Sequence, residues 1–475
     1  MGKEGVSRRD YLKVVGGTVG GLVVGGAIGY LAKPSEAVEK TVTQTQTETK
    51  TVTATAPAVT TTPAKKIHLD FTVWNYDVEK VKDNASKFMQ KYPNIELSTY
   101  DFNWPDFPTT MVKRFTVGTP TDVTYDGEDW LAQWASAGWI VPLQDIWDQY
   151  QTEHPWSYYV NDMVPYAKQS CTFEGKIYGL PYYSDMFTFI YNDKKLKDKG
   201  FAPPKDWDEV LQQCLAFKKD GIKYPFILSF EPKDVFAWCN VLSSAYGRGA
   251  RLFDKDLNPV FNEAGSPFVE QLQWYVDGLY KDEIVNPEWS TMHETISSKN
   301  MSAGEGVFCG LAKYNAAAMN TPGSGPEAGN FRVGLMPGKT HEAYGFAKMY
   351  NLTKICVDRG SDAVQAAITF IEYFGGSGSP VLKRWAVENG LGFGFDSPWD
   401  DPDIASGTEQ LYGAGAATTI REQAKLATAE AHPIWFGEWN DYVRKECLAK
   451  VFTKEITPQK CADLMADNWN SLKKA

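Results

Sequence analysis

The sequence has few of the residues that most often bind metals or carry redox chemistry. It contains five His and seven Cys among 475 residues, and no two Cys form a C-x-x-C pair. An odd number of Cys cannot all pair in disulfides, so we interpret most of them as small buried residues. His341-Glu342 also lacks the second His of a zinc-protease helix. The pattern predicts no metal site and no cofactor.

Positive charge is scarce as well. The chain carries 48 Lys and Arg against 59 Asp and Glu, a formal net charge of -11, and no basic cluster follows the first residues. A protein that binds nucleic acid needs a basic surface. The composition therefore excludes nucleic acid as a partner.

A long uncharged run occurs at the N-terminus. The stretch Ser7-Arg8-Arg9-Asp10-Tyr11-Leu12-Lys13 is close to a twin-arginine export signal, and Val14 to Ala32 carries no charge. The preceding Lys and Arg keep the N-terminus in the cytoplasm and send the rest of the chain outside. Whether residues 1–32 are cleaved is open. We expect them to stay as a membrane anchor, the chain's sole contact with the membrane; cleavage would release an extracellular protein.

Residues 33–64 are rich in Thr and almost free of large apolar side chains. Such a segment cannot bury enough apolar surface to fold, so it predicts a disordered stalk. The stalk would hold the folded part of the chain, residues 65–475, away from the membrane.

The folded part opens with a β-α-β pattern. Ile67 to Trp74 alternates like a strand, Val78 to Tyr92 has apolar residues at helical spacing, and Ile95 to Tyr100 returns as a strand. A second unit begins at Asp122 to Tyr125. The pattern predicts an α/β fold, and the length exceeds one typical core, which favours two lobes.

Three motifs then follow one another in a fixed order. They are Gly175-Lys176-Ile177-Tyr178-Gly179-Leu180-Pro181, then Tyr191-Asn192, then Pro203-Pro204-Lys205-Asp206-Trp207-Asp208-Glu209. This combination resembles the signature of family 1 extracellular solute-binding proteins, the maltose-binding type, which are the capture subunits of ABC importers. The resemblance extends from about residue 67 to the end of the chain.

The resemblance implies a two-lobed periplasmic-binding-protein fold of type II. Each lobe is built from discontinuous segments around a hinge. We expect the N-lobe in residues 65–175 and 331–380, and the C-lobe in residues 176–330 and 381–475. The hinge strands would lie near residues 175–180 and 330–340, and a further strand at Gly304 to Phe308.

Candidate ligand residues in the first lobe lie where strands end, because open α/β sheets bind ligands at the carboxyl ends of their strands. Carboxylates accept hydrogen bonds from sugar hydroxyls, and aromatic rings cover the apolar face of a pyranose. A capped helix start with a core Trp is the alternative interpretation of Asp129 and Trp130. The candidates are Trp74, Tyr76, Asp77, Asp129 and Trp130.

Candidates in the second lobe rest on the resemblance, which implies that they face the ligand. Trp439 and Tyr442, near a helix start, would form a further aromatic wall, although core packing is an alternative for at least one of them. The candidates are Tyr182, Tyr183, Asp185, Glu231, Trp238, Tyr314, Trp439 and Tyr442.

These observations predict a monomeric, extracellular binding subunit that captures a di- or oligosaccharide by lobe closure. It would deliver the sugar to a membrane permease driven by an ATPase. Glycerol-phosphate, for which Arg248 and Arg251 would be the ligands, or another small polar solute is an alternative. A secreted glycoside hydrolase is a weaker one, because spacing picks out no carboxylate pair and no G-x-S-x-G elbow is present. We therefore expect no enzymatic activity.

Overall fold

A computed structural model of the chain describes residues 65–234 and 236–474. The predicted anchor, residues 1–32, and the predicted stalk, residues 33–64, lie outside the described residues and stay predictions. In the described part of the chain, no helix is long and apolar enough to cross a membrane.

The strands of the described residues are numbered β1 to β10 in chain order. They are β1 Ile67–Trp74, β2 Ile95–Phe102, β3 Val123–Gly127, β4 Thr172–Phe173, β5 Lys176–Ile177, β6 Gly179–Asn192, β7 Phe226–Ile227, β8 Phe308–Ala312, β9 Phe331–Gly334 and β10 Gly345–Leu352.

The helices are numbered in the same way. They are α1 Val78–Lys91, α2 Phe107–Val117, α3 Glu128–Ser136, α4 Trp156–Asp162, α5 Pro165–Ser170, α6 Asp193–Asp198, α7 Trp207–Lys219, α8 Phe236–Arg248, α9 Pro267–Tyr280, α10 Glu294–Ala303, α11 Tyr314–Asn320, α12 Lys354–Asp358, α13 Ser361–Gly375, α14 Pro380–Asn389, α15 Pro402–Tyr412, α16 Ala416–Leu426, α17 Phe436–Tyr442, α18 Ala449–Phe452 and α19 Pro458–Leu472. A π-helical segment, Val443–Leu448, joins α17 to α18.

Eight of these strands form one sheet. Its order is β2-β1-β3-β10-β6-β8-β7, and β9 pairs with β6 outside this path. β1 runs parallel to both β2 and β3, whereas β10 is antiparallel to β3 and to β6. Parallel β1 and β3 end at the same edge of the sheet. This places the residues that follow Trp74 near those that follow Gly127.

β6 belongs to both halves of the sheet. Its first half, Gly179 to Met186, pairs with β10, and its second half, Phe187 to Asn192, pairs with β8 and β9. From the sequence alone, Pro181 indicates an extended segment, and the apolar, β-prone run Met186 to Tyr191 indicates a separate strand after it. The structure joins them into one strand because β10 supplies pairing for the first part.

Two hydrophobic cores share this strand, because Ile190 belongs to the first core and its neighbours Phe189 and Tyr191 belong to the second. The first core gathers the β1 and β3 side chains with those of α1 and α13, including Phe71, Phe88 and Phe370. The second gathers α7, α8 and α9 with the C-terminal helices, including Trp207, Trp238 and Trp469. Tyr183, on β6, packs against both cores. The two-lobed α/β fold expected from the sequence is consistent with this arrangement.

Among the described segments that pass between the two cores, three lie near the candidate site. One is β6 itself, and a second is the segment between β9 and β10. The third follows α16, whose Ile420 belongs to the first core, and precedes α17, whose Phe436 belongs to the second. It pairs with the second segment through Thr428, which exchanges backbone hydrogen bonds with Ala343 and Gly345. The sequence predicted the first two connections but not the third.

One strand boundary differs from the sequence expectation. The strand expected at Gly304 to Phe308 begins only at Phe308, because Gly304 ends α10 in a left-handed conformation with φ of 88°. Residues 381–475 were assigned to the second lobe, and their α14 and α15 pack with the first core, as Met301 and Ala316 of the same predicted lobe also do. The lobe boundaries themselves stay a prediction.

Candidate functional site

Aromatic rings gather where β1 and β3 end. The Trp74 ring centroid lies 5.0 Å from that of Trp104, which meets it edge-on, and 6.3 Å from that of Trp130. Trp130, in the first turn of α3, lies 5.3 Å from Trp104. Trp74 is buried, whereas Trp104 and Trp130 are only partly buried. We call these three residues the aromatic wall, and its partly exposed rings can cover an apolar ligand face.

A buried lysine lies beside the aromatic wall. The Lys348 Nζ is 3.0 Å from Glu128 Oε2 and 3.2 Å from Asp129 Oδ2. It also lies 5.7 Å from the Trp104 ring centroid and 5.9 Å from that of Trp130, within cation-π range. The Lys348 side chain is 7% exposed, and that of Asp129 is 41% exposed. Asp129 is therefore the carboxylate of this group that a solute can reach.

The protonation of these groups follows from burial and pairing. Burial lowers the pKa of Lys348, but Glu128 and Asp129 outweigh it, so the pKa is raised overall. Burial raises the pKa of Glu128, and Lys348 only partly offsets this. Burial also acts to raise the pKa of Asp129, but the nearby Lys348 and His432 outweigh this effect, and the pKa of Asp129 is lowered overall. Asp129 is therefore the ionised acceptor of the pair.

A histidine from the third connection completes the group. The His432 Nδ1 lies 3.4 Å from Asp129 Oδ1, and its Nε2 lies 3.7 Å from Glu430 Oε2. Glu430 in turn accepts a hydrogen bond of 2.9 Å from the Trp238 Nε1. Glu128, Asp129, Lys348, Glu430 and His432 form what we call the ion cluster.

Tyr76 and Asp77 face the end of α14. Asn389 Nδ2 donates to Tyr76 Oη at 3.3 Å and to Asp77 Oδ2 at 3.1 Å. Asp77, which precedes α1, has φ of 43°, and its Oδ2 lies 3.3 Å from Lys80 Nζ. Both residues are partly buried, and their polar atoms already have protein partners.

The predicted β6 residues lie at the middle of the molecule. Tyr182 is buried and stacks on Tyr125 with ring centroids 4.2 Å apart. Its ring centroid also lies 5.7 Å from that of Trp74, so Tyr182 packs against the aromatic wall. Tyr183 is partly buried, and its hydroxyl donates to Asp185 at 3.4 Å. The fully buried Asp185 lies 3.6 Å from Lys313 Nζ. Burial raises the pKa of Asp185, and Lys313 opposes this effect.

A small cavity lies beside Asp185. Its volume is about 20 Å³, and its lining includes Lys313, Gly390 and Tyr412. Lys313 Nζ donates to the Gly390 carbonyl at 2.9 Å and to Tyr412 Oη at 3.0 Å. A cavity of this size holds about one water molecule, so a sugar does not fit in it.

Tyr314 begins α11 directly after β8, as the resemblance implied. Its hydroxyl donates to Glu294 Oε2 at 2.5 Å, and the ring is partly buried. Asn315 Nδ2 donates to the same oxygen at 3.3 Å. Glu294 is thus a second carboxylate beside an aromatic ring, and the sequence did not single it out.

The remaining predicted residues lie apart from the aromatic wall. Trp238 is 1% exposed and packs edge-on against Trp439, which is fully buried and donates to the Met465 carbonyl. Neither ring has a free surface for a ligand in this structure, because core side chains surround both. Tyr442 and Glu231 are partly buried, and Tyr442 contacts Cys447. The site proposed below does not include these four residues.

Glu128, Asp129 and His432 are the sole His and carboxylate group among residues 65–234 and 236–474 that is close enough to hold a metal ion. The Lys348 ammonium already lies within 3.2 Å of a carboxylate oxygen of both Glu128 and Asp129. A metal ion would have to displace this ammonium from both carboxylates, so the group does not fit a metal ion.

Sequence reasoning missed Lys348, His432 and Lys313. Lys348 had a detectable signal, because it is the one charge in the apolar β-prone run Phe346-Ala347-Lys348-Met349-Tyr350. A charge is found inside a buried strand only when it is paired. His432 and Lys313 carried no comparable signal, since both lie in segments without periodicity.

A family model described as bacterial extracellular solute-binding protein matches residues 70–379. The maltotriose-binding protein of Pyrococcus abyssi is 23% identical over 347 residues, which cover 70% of this chain and 67% of that protein. The mannitol-binding protein of Pseudomonas aeruginosa is 22% identical over 219 residues, 44% of this chain and 46% of that protein.

Solved structures share the fold. The sugar-binding protein MalE of Xanthomonas citri superposes with a TM-score of 0.71 at 18% identity, covering 86% of this chain and 97% of that one. At this identity the likeness shows the two-lobed fold of the MalE type and leaves the ligand to be argued from the site.

Proposed function

Because the protein belongs to the bacterial extracellular solute-binding proteins, a family whose model matches most of its length, we propose that it captures a di- or oligosaccharide for an ABC importer. The aromatic wall beside the reachable carboxylate of Asp129 is the observation that carries this proposal. Pyranose rings combine apolar C-H faces with hydroxyl groups, and this site offers a complement to each. The names of the sugar-binding relatives agree with this class of ligand.

The proposed binding site lies between the two cores. The first-lobe side contributes Trp104, Trp130 and Asp129, and Tyr314 with Glu294 faces it from the second. Tyr183 lies on the shared strand and packs against both cores. A solute held by both sides favours the conformation in which the lobes are closed. Bending would occur at β6 and at the segments before β10 and α17.

The captured sugar would then pass to a membrane permease driven by an ATPase, as the family membership supports. The proposed twin-arginine segment and Thr-rich stalk would hold the body at the outer surface of the membrane. We propose that the protein acts there as a monomer without catalytic activity.

Isothermal titration of the purified chain with maltotriose, maltose, chitobiose, mannitol and glycerol 3-phosphate tests the proposal. We expect binding of at least one saccharide. Trp130→Ala should weaken it about tenfold, since loss of a stacked ring removes roughly 1 to 1.5 kcal/mol beyond area burial.

Trp139→Ala is the matched control, because Trp139 is also partly buried in the first lobe but stacks on Phe115 instead. Its affinity should stay within about twofold of the wild type. Saccharide affinity that is equally reduced in both variants would refute the placement of the site at the aromatic wall. Failure of every saccharide to bind would refute the proposed function.

Polyols are the second candidate class, which the mannitol-binding relative supports. Glycerol-phosphate has less support. Arg251 forms two hydrogen bonds with Glu342, at 2.7 and 2.8 Å, and Arg248 Nε donates to Gln271. The two Arg expected to bind a phosphate are therefore engaged with protein groups away from the aromatic wall.

A further inference from the structure

His432 lies between two carboxylates that come from different parts of the fold. Its Nδ1 faces Asp129 on α3 at 3.4 Å, and its Nε2 faces Glu430 on the third connection at 3.7 Å. The side chain is 5% exposed, and the ring stacks on Phe436 of α17 with centroids 3.8 Å apart. The imidazole is therefore fixed in a plane in which each nitrogen meets an acceptor.

Only one protonation state suits this geometry. Neutral imidazole has one N–H donor and one lone pair, so one of its nitrogens would present a lone pair to a carboxylate oxygen. The imidazolium has two N–H donors and can serve both oxygens. Neither nitrogen makes a hydrogen bond among the described residues, so the two contacts are ion pairs that exist only while the ring is charged.

The charges around the ring agree with this. Glu128, Asp129 and Glu430 are three carboxylates, and Lys348 is the one other cation of the ion cluster. Three carboxylates beside one ammonium favour a positive charge on the ring, although burial raises the pKa values of Glu128 and Glu430 and so acts against their ionised forms. Burial lowers the pKa of His432, but Glu430 and Asp129 outweigh it, and the pKa is raised from 6.5.

Other titratable groups packed around the cluster have pKa values that burial shifts towards their neutral forms. Burial raises the pKa values of Cys239 and Tyr246 on α8 and of Tyr344 before β10 well above their usual range. Asp126, at the end of β3, likewise has its pKa raised well above the usual range by burial. Burial also raises the pKa values of Glu128 and Glu430, so the part of the pH dependence that belongs to His432 is the part that His432→Gln removes.

We propose that His432 is a positioning residue that makes solute affinity depend on pH, because its imidazolium ties Asp129 of the ligand site to Glu430 and Trp238 beside the second core. This inference rests on the proposed function for its effect on affinity. Asp129 is held in place for the solute while His432 is charged. Since the pKa in the folded state is raised, the contact is complete below about pH 6.5 and is lost as the pH rises through that raised value.

The first experiment needs no ligand. Urea unfolding of the full chain is measured from pH 5.5 to 9 for the wild type and for His432→Gln. At pH 5.5 we expect the wild type to have a larger free energy of unfolding than His432→Gln. This difference between the two proteins should shrink steadily up to pH 9, because only the imidazolium makes both contacts. A difference that stays constant across this range overturns the proposal.

His154→Gln is the matched control. The ring of the exposed His154 stacks on Tyr158 with centroids 4.0 Å apart, much as His432 stacks on Phe436. This variant should keep the pH dependence of the wild type. If it flattened the dependence as His432→Gln does, ring stacking rather than the two carboxylates would be responsible, and the proposal would fail.

The second experiment titrates maltotriose into the same three proteins at pH 6 and pH 9. We expect wild-type affinity to fall by about tenfold, because the form that binds is the one with charged His432 and its share falls as the pH rises, while His432→Gln shows less than a twofold change. Equal losses in both proteins overturn the coupling. If maltotriose fails to bind at any pH, the sugar assignment is at fault, and the ligand-free unfolding still decides the role of His432.

Divalent cations supply a further discriminating outcome. Micromolar Zn²⁺ should leave the melting temperature unchanged, because Lys348 occupies the carboxylates. A rise with Zn²⁺ that EDTA reverses, and that His432→Gln abolishes, would show a metal site and overturn the proposed proton-dependent contact.

Discussion

Lys348 holds the ion cluster together, because it is the buried cation nearest to Glu128 and Asp129. Lys348→Met should lower the free energy of unfolding by about 3 kcal/mol at pH 7, since it leaves a buried carboxylate without its partner. The loss should shrink as the pH falls, because unpaired Glu128 and Asp129 then take up protons. Urea unfolding at pH 7 and pH 5 measures both effects.

A surface ion pair provides the control for this variant. Lys194 and Asp198 are paired one helical turn apart, and both side chains are more than half exposed. Lys194→Met should change the free energy of unfolding by less than about 1 kcal/mol. A loss in Lys348→Met no larger than this would contradict the structural role assigned to Lys348.

Gly127 on β3 is paired with Lys348 on β10. Because Gly127 has no side chain, it leaves room for the side chain of the lysine. A Cβ at position 127 would lie 2.9 Å from Lys348 Nζ and 3.0 Å from its Cδ. Gly127→Ala should therefore displace the ammonium from its carboxylates and lower the free energy of unfolding by about 1 to 2 kcal/mol.

The same substitution in a Lys348→Ala background should cost less, because the obstructing side chain is absent, and a double-mutant cycle measures the coupling. Gly437→Ala in α17 serves as the control, since a Cβ there meets nothing within 4 Å. Additive effects of the Gly127 and Lys348 substitutions would contradict the close approach.

Among the elements, α8 joins two of the three connections between the cores that lie near the candidate site. The Ser243 hydroxyl donates to the Phe187 carbonyl of β6 at 2.6 Å and accepts from the Tyr344 N–H at 2.9 Å. In Ser243→Ala, the Phe187 carbonyl and the Tyr344 N–H, both buried, each lose one hydrogen-bond partner. We expect a loss of about 1 to 3 kcal/mol in the free energy of unfolding, measured in urea.

Ser297 on α10 is the matched control for Ser243. It is equally buried, and its hydroxyl makes no hydrogen bond among the described residues. Ser297→Ala should be nearly neutral, since no bond is lost. If both Ser variants lost the same stability, the hydroxyl of Ser243 would not be what fixes the connections.

For the molecule as a whole, a solute bound between the cores should stabilise both of them. A saccharide at 100 times its Kd should raise the free energy of unfolding by about 2.7 kcal/mol. Hydrogen exchange should slow for amides of β1, in the first core, and of α19, in the second, because closure couples the lobes. Slowing in one core alone would indicate that the solute contacts only one lobe.

Local patterns were enough to find β1, α1 and β2 and to recognise the family from motifs such as Gly175 to Pro181, because such features depend on neighbours along the chain. They also marked Trp74, Asp129 and Trp130, since strand ends in an α/β sheet are open to ligands. Strand pairing placed Lys348 opposite Gly127, and the path of the third connection brought His432 to Asp129. Those contacts join residues far apart in sequence, so the folded chain alone could show them. The same packing buried Trp238 and Trp439 in the second core, which their residue type did not reveal.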